Sequence, residues 1–495
     1  MTNSLHQLYK TLGAETPDTP DITLTGITAD SREVGSGYVF VAENGVNVDG
    51  HDFIDKAIRS GAAAVVCEHI PDDSKDTASV AWVVVPDSTE AMGKLASWWY
   101  GYPSESLTLV GVTGTNGKTT IATLLYEMAR LSGHKAGLIS TVVNIIDTRK
   151  ETSTHTTPHP LVINRLMHDM VKAGCTFCAM EVSSHACAQR RIASLDFDGG
   201  IFTNLTRDHL DYHKTFDAYL RAKKSFFDGL KPEAFALTNA DDRNGEIMLQ
   251  NCKARRHTYS IRTAADYHGK VIESRIDGML MAFNGMEVET AFVGRFNASN
   301  LTAVYGASCL LGLPEEDILK GISLLVPVAG RMQTLHSPSG ITAIVDYAHT
   351  PDALANVLSA ISDVAGNGRI ITVAGAGGDR DKGKRPLMAA EAVKRSSIVV
   401  LTSDNPRHEK PEDIIDDMLA GVSHDLRDKV ITIIDRKEAI TKALSLAHKG
   451  DVVLIAGKGH ETYQIIGDTR HHFDDREIVS DIFAAHSPQP CVCDN

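Results

Sequence analysis

Residues 107–120 read LTLVGVTGTNGKTT, with glycines at 111, 114 and 117 ahead of Lys118, Thr119 and Thr120. Glycines let backbone N–H groups crowd around phosphate oxygens. A helix opening near Lys118 turns its positive end toward them, and the lysine reaches the terminal phosphates. The Thr119 hydroxyl can hold Mg2+. The common P-loop spacing, G-x-x-x-x-G-K-[ST], requires a glycine at position 112, where this chain has Val112. The segment is therefore a degenerate match or a phosphate loop of another class. A plain Gly-rich turn is the weaker reading, because G-K-T-T follows a strand and opens a helix, as nucleotide binding requires.

Other stretches carry chemistry more weakly. In AMEVSSHACAQRR (179–191), Glu181 ends a buried-type strand, where open α/β sheets place ligand residues. A carboxylate there binds Mg2+ or caps the structure. His209, Asp211 and His213 lack the usual zinc spacings, and no cysteine pair accompanies them. Lys223 and Lys224 lie on a helical stretch and by default are solvated. CTFC (175–178) has thioredoxin-like spacing but sits in an apolar run, which predicts buried thiols. DYAHTPDAL, AGAGGDRDKGKRP, SDNPRHEK and AGKGHETYQ each follow a strand in the last third. The glycines of AGAGGDR miss the G-x-G-x-x-G spacing, so a dinucleotide site is set aside.

The elements that must position these residues are α/β throughout. Residues 1–100 hold β-like runs at 38–42, 62–67 and 80–88 and a helix from 89, and YPSES (102–106) reads as a linker. From 107 strands and helices alternate, with apolar residues at helical spacing from Lys118 until Gly133 stops the helix. The alternation predicts a mostly parallel sheet with helices on both faces. A second series of five strands begins after about residue 330, enough for a separate Rossmann-like domain, and the tail from 486 reads as frayed.

A length of 495 residues allows about three domains. The net charge of −14 argues against nucleic acid and anionic membrane surfaces but leaves phosphate-rich small ligands open. Eight cysteines do not make a disulfide scaffold, and no apolar span or secretion signal is visible, so the expectation is a cytoplasmic protein.

Taken together, the motifs resemble the Mur ligase family, the ATP-dependent amide-bond ligases of peptidoglycan precursor synthesis. The family loop is G-x-x-G-T-N-G-K-[ST], which Gly111 to Thr119 fit position by position, so Val112 is no defect. EVSSH, TNLTRDHLDYH, GRFNASN, GRM and DYAHTPDAL follow in family order. HACAQRR departs from the family's more usual glycine after SSH. DSR, VDGHDFI, GGDRDKGKRPLM, DNPR and GKGHE resemble the branch that adds the third amino acid.

The resemblance implies a small N-terminal α/β domain (1–103) for the UDP end of the substrate. It implies a central P-loop ATPase-type α/β domain (104–329) and a C-terminal Rossmann-like α/β domain (330–495) for the amino acid. It further implies a monomer using ATP and Mg2+ to join meso-diaminopimelate to UDP-N-acetylmuramoyl-L-alanyl-D-glutamate through an acyl phosphate, with L-lysine as the alternative amino acid. Folylpolyglutamate synthetase shares the ATP core but not the UDP-domain signature, and a nucleotide switch would not need the last-third motifs. By the same resemblance, Gly111, Gly114, Thr115, Asn116, Gly117, Lys118, Thr119 and Thr120 bind ATP with Asn297, Asn300, Arg331, Asp346 and His349. Thr119, Glu181, His209 and Lys223, the last as a carbamate, hold magnesium. Lys118, Glu181, His209 and Lys223 are the catalytic set. Ser31, His155, Thr156, Thr157, Ser183, Gln189 and Arg191 hold the UDP substrate. Arg385, Asp404, Asn405, Pro406, Arg407, Gly457 and Glu461 form the diaminopimelate pocket.

Overall fold

The N-terminal part is a four-stranded parallel sheet in chain order: Gly26–Thr28, Tyr38–Val41, Ala62–Cys67 and Ala81–Val84. These strands belong to a computed structural model that describes residues 3–45, 48–72 and 80–485, without the side chains of 210 and 211. The helix Ser88–Trp99 starts where the Asp87 carboxylate accepts from the Glu90 N–H at 2.8 Å. Met92 and Leu95 bury into the sheet's core, while Gly93 leaves room for Ala193 of the next unit. The expected linker is not slack. Pro103–Ser106 forms a 3-10 turn, and the Ser104 hydroxyl accepts from the Asp196 N–H at 3.1 Å. Serine in a linker-like run gives no hint of a distant backbone partner, so composition could not reveal this joint.

The central sheet has eleven strands. Its middle is parallel, in the order Arg255–Ser260, Phe235–Asn239, Gly199–Phe202, Thr108–Thr113, Phe177–Glu181, Ala136–Ile139. Both faces are covered. Helices Lys118–Leu131 and Arg295–Leu310 pack on one side, and Pro160–Lys172 and Phe216–Asp228 on the other. The sheet is more mixed than its strand–helix alternation suggests. An antiparallel hairpin, Val143–Ile146 with Arg149–Thr152, extends one edge. Tyr267–Arg275, Gly278–Phe283 and Met286–Thr290 extend the other. Asn284–Gly285, both at positive φ, turns the last hairpin, and this Asn-Gly pair was the overlooked signal.

The C-terminal sheet runs Gln333–His336, Thr342–Asp346, Val452–Ala456, Ile370–Ala376, Ile398–Ser403, Val430–Thr432. Five strands are parallel as expected, and Gln333–His336 adds an antiparallel edge. A hairpin, Tyr463–Ile466 with Thr469–His472, stands apart. The motif-bearing loops leave the C-terminal ends of the strands, where ligands bind in open α/β sheets. Cys175 and Cys178 are buried free thiols whose pKa burial raises. The tail expected to fray lies outside the described residues. Among the described residues, no helix is long and apolar enough to cross a membrane.

Candidate active site

The strand Thr108–Thr113 ends in a loop whose backbone only glycine enters easily. Gly114 and Gly117 have φ of 151° and 89°, and a side chain at Gly114 would collide with the Thr203 hydroxyl. The neighbouring strand's end holds the loop from beneath. Asn204 accepts from the Thr115 N–H through its carbonyl at 2.8 Å and from the Asn116 N–H through its side chain at 3.0 Å. The Thr203 hydroxyl donates to the Asn116 carbonyl at 2.6 Å. Gly111 plays a different part from the one expected. It lies inside the strand, where a side chain would strike Phe226, Phe197 and Val182, so it serves packing and not phosphate contact.

The helix Lys118–Leu131 begins directly after the loop. Lys118 Nζ folds back onto the carbonyls of Gly114 and Thr115, at 2.9 and 2.8 Å, and burial lowers its pKa. Lys223 is not solvated. It is 1 % exposed, lies 4.8 Å from the Tyr219 ring centroid, and donates to the Gly114 carbonyl at 2.8 Å. Lys224 is not freely solvated either: its side chain is largely covered and its ammonium pairs with Asp228 one turn on. Glu181 is fully buried; Oε1 accepts from the Thr141 N–H at 2.7 Å, and among the described residues Oε2 has no hydrogen-bond partner. An unpaired carboxylate oxygen this deep beside a phosphate loop suits a cation. His209, at φ 53°, stands edge-on to His185 at 4.9 Å, with Nε2 3.4 Å from the Asp208 carboxylate. Burial, with His185, Lys118 and Lys223 nearby, holds its imidazole well below the ordinary pKa.

A cavity of about 360 Å³ opens between the central and C-terminal sheets, and Asn116, Gly117, Thr120, Asn300, Arg331, Asp346 and His349 line it. Arg331 donates to the Thr119 hydroxyl at 3.1 Å and lies over the Tyr347 ring. Asp346 accepts from the N–H groups of Met332 and Ala348, both at 2.7 Å, and so ties the inter-domain segment to its own strand. Burial pushes the His349 imidazole down to about 4. Asn297 does not reach this cavity. Its amide donates to the Val293 carbonyl one turn back, behind Asn300. Tyr347, and Asp352, which accepts from the Asn116 amide at 3.1 Å, were not singled out although both sit in the quoted DYAHTPDAL.

A second cavity, about 670 Å³, lies between the N-terminal and central parts, and His155, Gln189, Arg191 and Tyr212 face it from the central side. Arg191 grips the Gln189 side chain and the Thr157 carbonyl, while Gln189 donates to the Tyr212 hydroxyl. Thr156, Thr157 and Ser183 sit just behind. The Thr157 hydroxyl bridges the Glu181 carbonyl and Ser183, and Thr156 accepts from Thr141. Ser31 is buried in the N-terminal domain and does not line this cavity.

The DNPR and GKGHE loops meet in the C-terminal domain. Asn405 donates to Glu461 at 2.9 Å and accepts from buried Lys458 at 3.0 Å. At Gly457 a side chain would press on Asp404. Arg407, at φ 51°, pairs its backbone with Ile465 and Gly467 of the hairpin, and its guanidinium donates to the Gly378 carbonyl at 2.8 Å. Arg380 shares the space over Gly377 with Arg407. Among the described residues neither arginine has a carboxylate in ion-pair reach. Arg385 departs from expectation. It is 0 % exposed and consumed by Glu409, Asp417 and the Gly377 carbonyl, so it braces the loop and offers no free fork. Arg380, in the GGDRDKGKR stretch, is exposed and donates to the Asp379 carbonyl at 3.0 Å, and its positive charge is felt at Arg407.

Residues 23–100 match the model "Mur ligase family, catalytic domain", 112–308 "Mur ligase middle domain" and 330–459 "Mur ligase, glutamate ligase domain". A UDP-N-acetylmuramoyl-L-alanyl-D-glutamate–2,6-diaminopimelate ligase of Phocaeicola vulgatus is 59 % identical over 462 residues, 93 % of this chain and 95 % of that protein. The ligase of the same name from Cytophaga hutchinsonii is 51 % identical over 475 residues, 96 % of this chain and 98 % of that one. A solved structure of a ligase so named superposes with a TM-score of 0.69 at 34 % identity, covering 99 % of this chain and all of that one. Three matched segments and relatives along nearly the whole length agree, and the chain belongs to the Mur ligase family.

Proposed function

We propose that this chain joins meso-2,6-diaminopimelate to UDP-N-acetylmuramoyl-L-alanyl-D-glutamate with hydrolysis of ATP, forming the UDP-muramoyl tripeptide used in peptidoglycan synthesis. Full-length relatives at 51–59 % identity carry that activity in their names. The observation that selects the amino acid is Arg407, a half-buried guanidinium with no carboxylate in ion-pair reach among the described residues, with the positive charge of Arg380 nearby. Such a cation suits a ligand bearing a carboxylate at its far end, and it disfavours an incoming ammonium.

The reaction follows from the arrangement. The 670 Å³ cavity takes the UDP substrate, with Arg191, Gln189 and His155 facing it. The D-Glu γ-carboxylate attacks the γ-phosphorus of ATP, and ADP leaves. The resulting acyl phosphate is attacked at its carbonyl carbon by the diaminopimelate amine; phosphate leaves, and the amine's proton passes to solvent or base. Lys118 and the loop N–H groups hold the phosphates, and Arg331, Asp346, His349 and Asn300 enclose the nucleotide. Magnesium would be held by Glu181, whose Oε2 is unsatisfied, with Thr119, His209 and carbamylated Lys223, and would neutralise charge on the transferring phosphoryl group. Domains at 1–103, 104–329 and 330–495, a monomeric state and a cytoplasmic location complete the proposal. Asp404 and Glu461 read the ammonium beside the far carboxylate.

The test is ligation with purified protein, following phosphate release and tripeptide together. ATP consumption requiring both the UDP dipeptide and diaminopimelate supports the proposal. Turnover indifferent to either one overturns it.

A further inference from the structure

Lys458 is fully buried where the DNPR and GKGHE loops meet the hairpin. Its ammonium donates to the Tyr463 carbonyl at 2.6 Å, to Asn405 Oδ1 at 3.0 Å and to Glu461 Oε2 at 3.4 Å, and lies 3.9 Å from Asp404. It thereby touches the DNPR loop, the GKGHE loop and the separate hairpin at once. Asp404 and Glu461 are two buried carboxylates in one site, and each raises the cost of the other's charge. With Lys458 between them, the three carry a single net negative charge, which matches one ligand ammonium. Without it, Asp404 keeps the positive neighbours Arg436 and Arg407, but Glu461, which burial and Asp404 already push up, loses the cation that favours its charged form and shifts toward its protonated form. A protonated acid attracts an ammonium less, and Glu461 also loses one of the two contacts that aim it, the Asn405 amide remaining.

Resting on the pocket reading above, we propose that Lys458 is a positioning residue for recognition of the far amine. It acts through Glu461 and Asp404 and leaves recognition of the far carboxylate to Arg407 and Arg380. The effect is confined to one end of the amino acid, which separates it from a merely structural role.

The experiment compares Lys458→Met with wild type on three amino acids: meso-diaminopimelate, L-2-aminopimelate, which lacks the far amine, and L-lysine, which lacks the far carboxylate. Lys458→Gln runs in parallel in case the methionine variant does not fold, and ATP and UDP-dipeptide affinities check integrity. The wild type is expected to prefer diaminopimelate over aminopimelate. In a folded variant that preference should shrink about tenfold, through KM for the amino acid, while the diaminopimelate-to-lysine ratio and kcat change little. Equal losses in both ratios, or a preference for the far amine that is unchanged or raised, overturn the role of Lys458. Failure of both variants to fold would show a purely structural residue and likewise overturn it. A wild type indifferent to the far amine would instead overturn the pocket reading itself.

Discussion

Lys118 and Lys223 donate to the same oxygen: the Gly114 carbonyl accepts from both ammonium nitrogens, at 2.9 and 2.8 Å. Two cations this close and this buried cannot both hold their protons cheaply. Burial first, and Lys118 second, push Lys223 well below the ordinary lysine value. A neutral amine is the form that adds CO2: the nitrogen bonds to carbon, a proton leaves, and a would-be cation becomes an anion. Lys223→Ala should lose ligation by a factor of about 100 or more, with partial recovery on adding short carboxylates. Full activity in the variant, or its failure to respond alongside an unmodified lysine in a crystal with nucleotide and magnesium, would reject the role.

The same depression has a signature in stability. Between the lowered value and the ordinary value of about 10.4, the unfolded chain binds a proton at Lys223 that the folded chain does not. Stability therefore rises with pH across that window. Urea midpoints measured with CO2 excluded, from about pH 7 to about pH 10, should climb more steeply in wild type than in Lys223→Met. Parallel pH profiles would contradict the lowered value.

Lys118→Ala should abolish ligation while leaving the fold intact, because among the described residues the side chain bonds to its own loop. Thermal unfolding and phosphate release on the same sample check this. Near-normal turnover in a folded variant would remove Lys118 from the phosphate site.

Arg407 and Arg385, both arginines of the same domain, should fail differently. Arg407→Ala should lose about 30-fold or more in efficiency with diaminopimelate and far less with lysine, a buried charge-assisted contact being worth about 2–5 kcal/mol. Arg385→Met should instead lower stability by about 2–4 kcal/mol, discounted because Asp417 is half exposed, and reduce use of both amino acids alike. Parallel kinetics and denaturation on the two variants separate these outcomes.

Much of this was legible in the chain itself. The phosphate loop and the parallel strands follow from glycine spacing and apolar runs, because local backbone needs dictate those residue types. Contacts between distant segments were not legible. Nothing at Arg385 says that Glu409 and Asp417 consume its fork, and nothing at Gly111 says that two phenylalanines from elsewhere fill its missing side chain. Lys223 read as a solvated helix lysine because periodicity does not tell which face a neighbouring loop will cover. Lys458 stood in a quoted motif, but its burial depends on three segments meeting.

The central claim, that the C-terminal pocket reads a second carboxylate, is tested most directly by competition. Equal concentrations of meso-diaminopimelate and L-lysine are supplied to the wild-type protein with ATP, magnesium and UDP-N-acetylmuramoyl-L-alanyl-D-glutamate, and the two tripeptides are separated by mass. Arg407, which has no carboxylate in ion-pair reach among the described residues, predicts a diaminopimelate product in excess by at least about 30-fold, with one phosphate released per amide formed. Equal products, or a lysine excess, would contradict it.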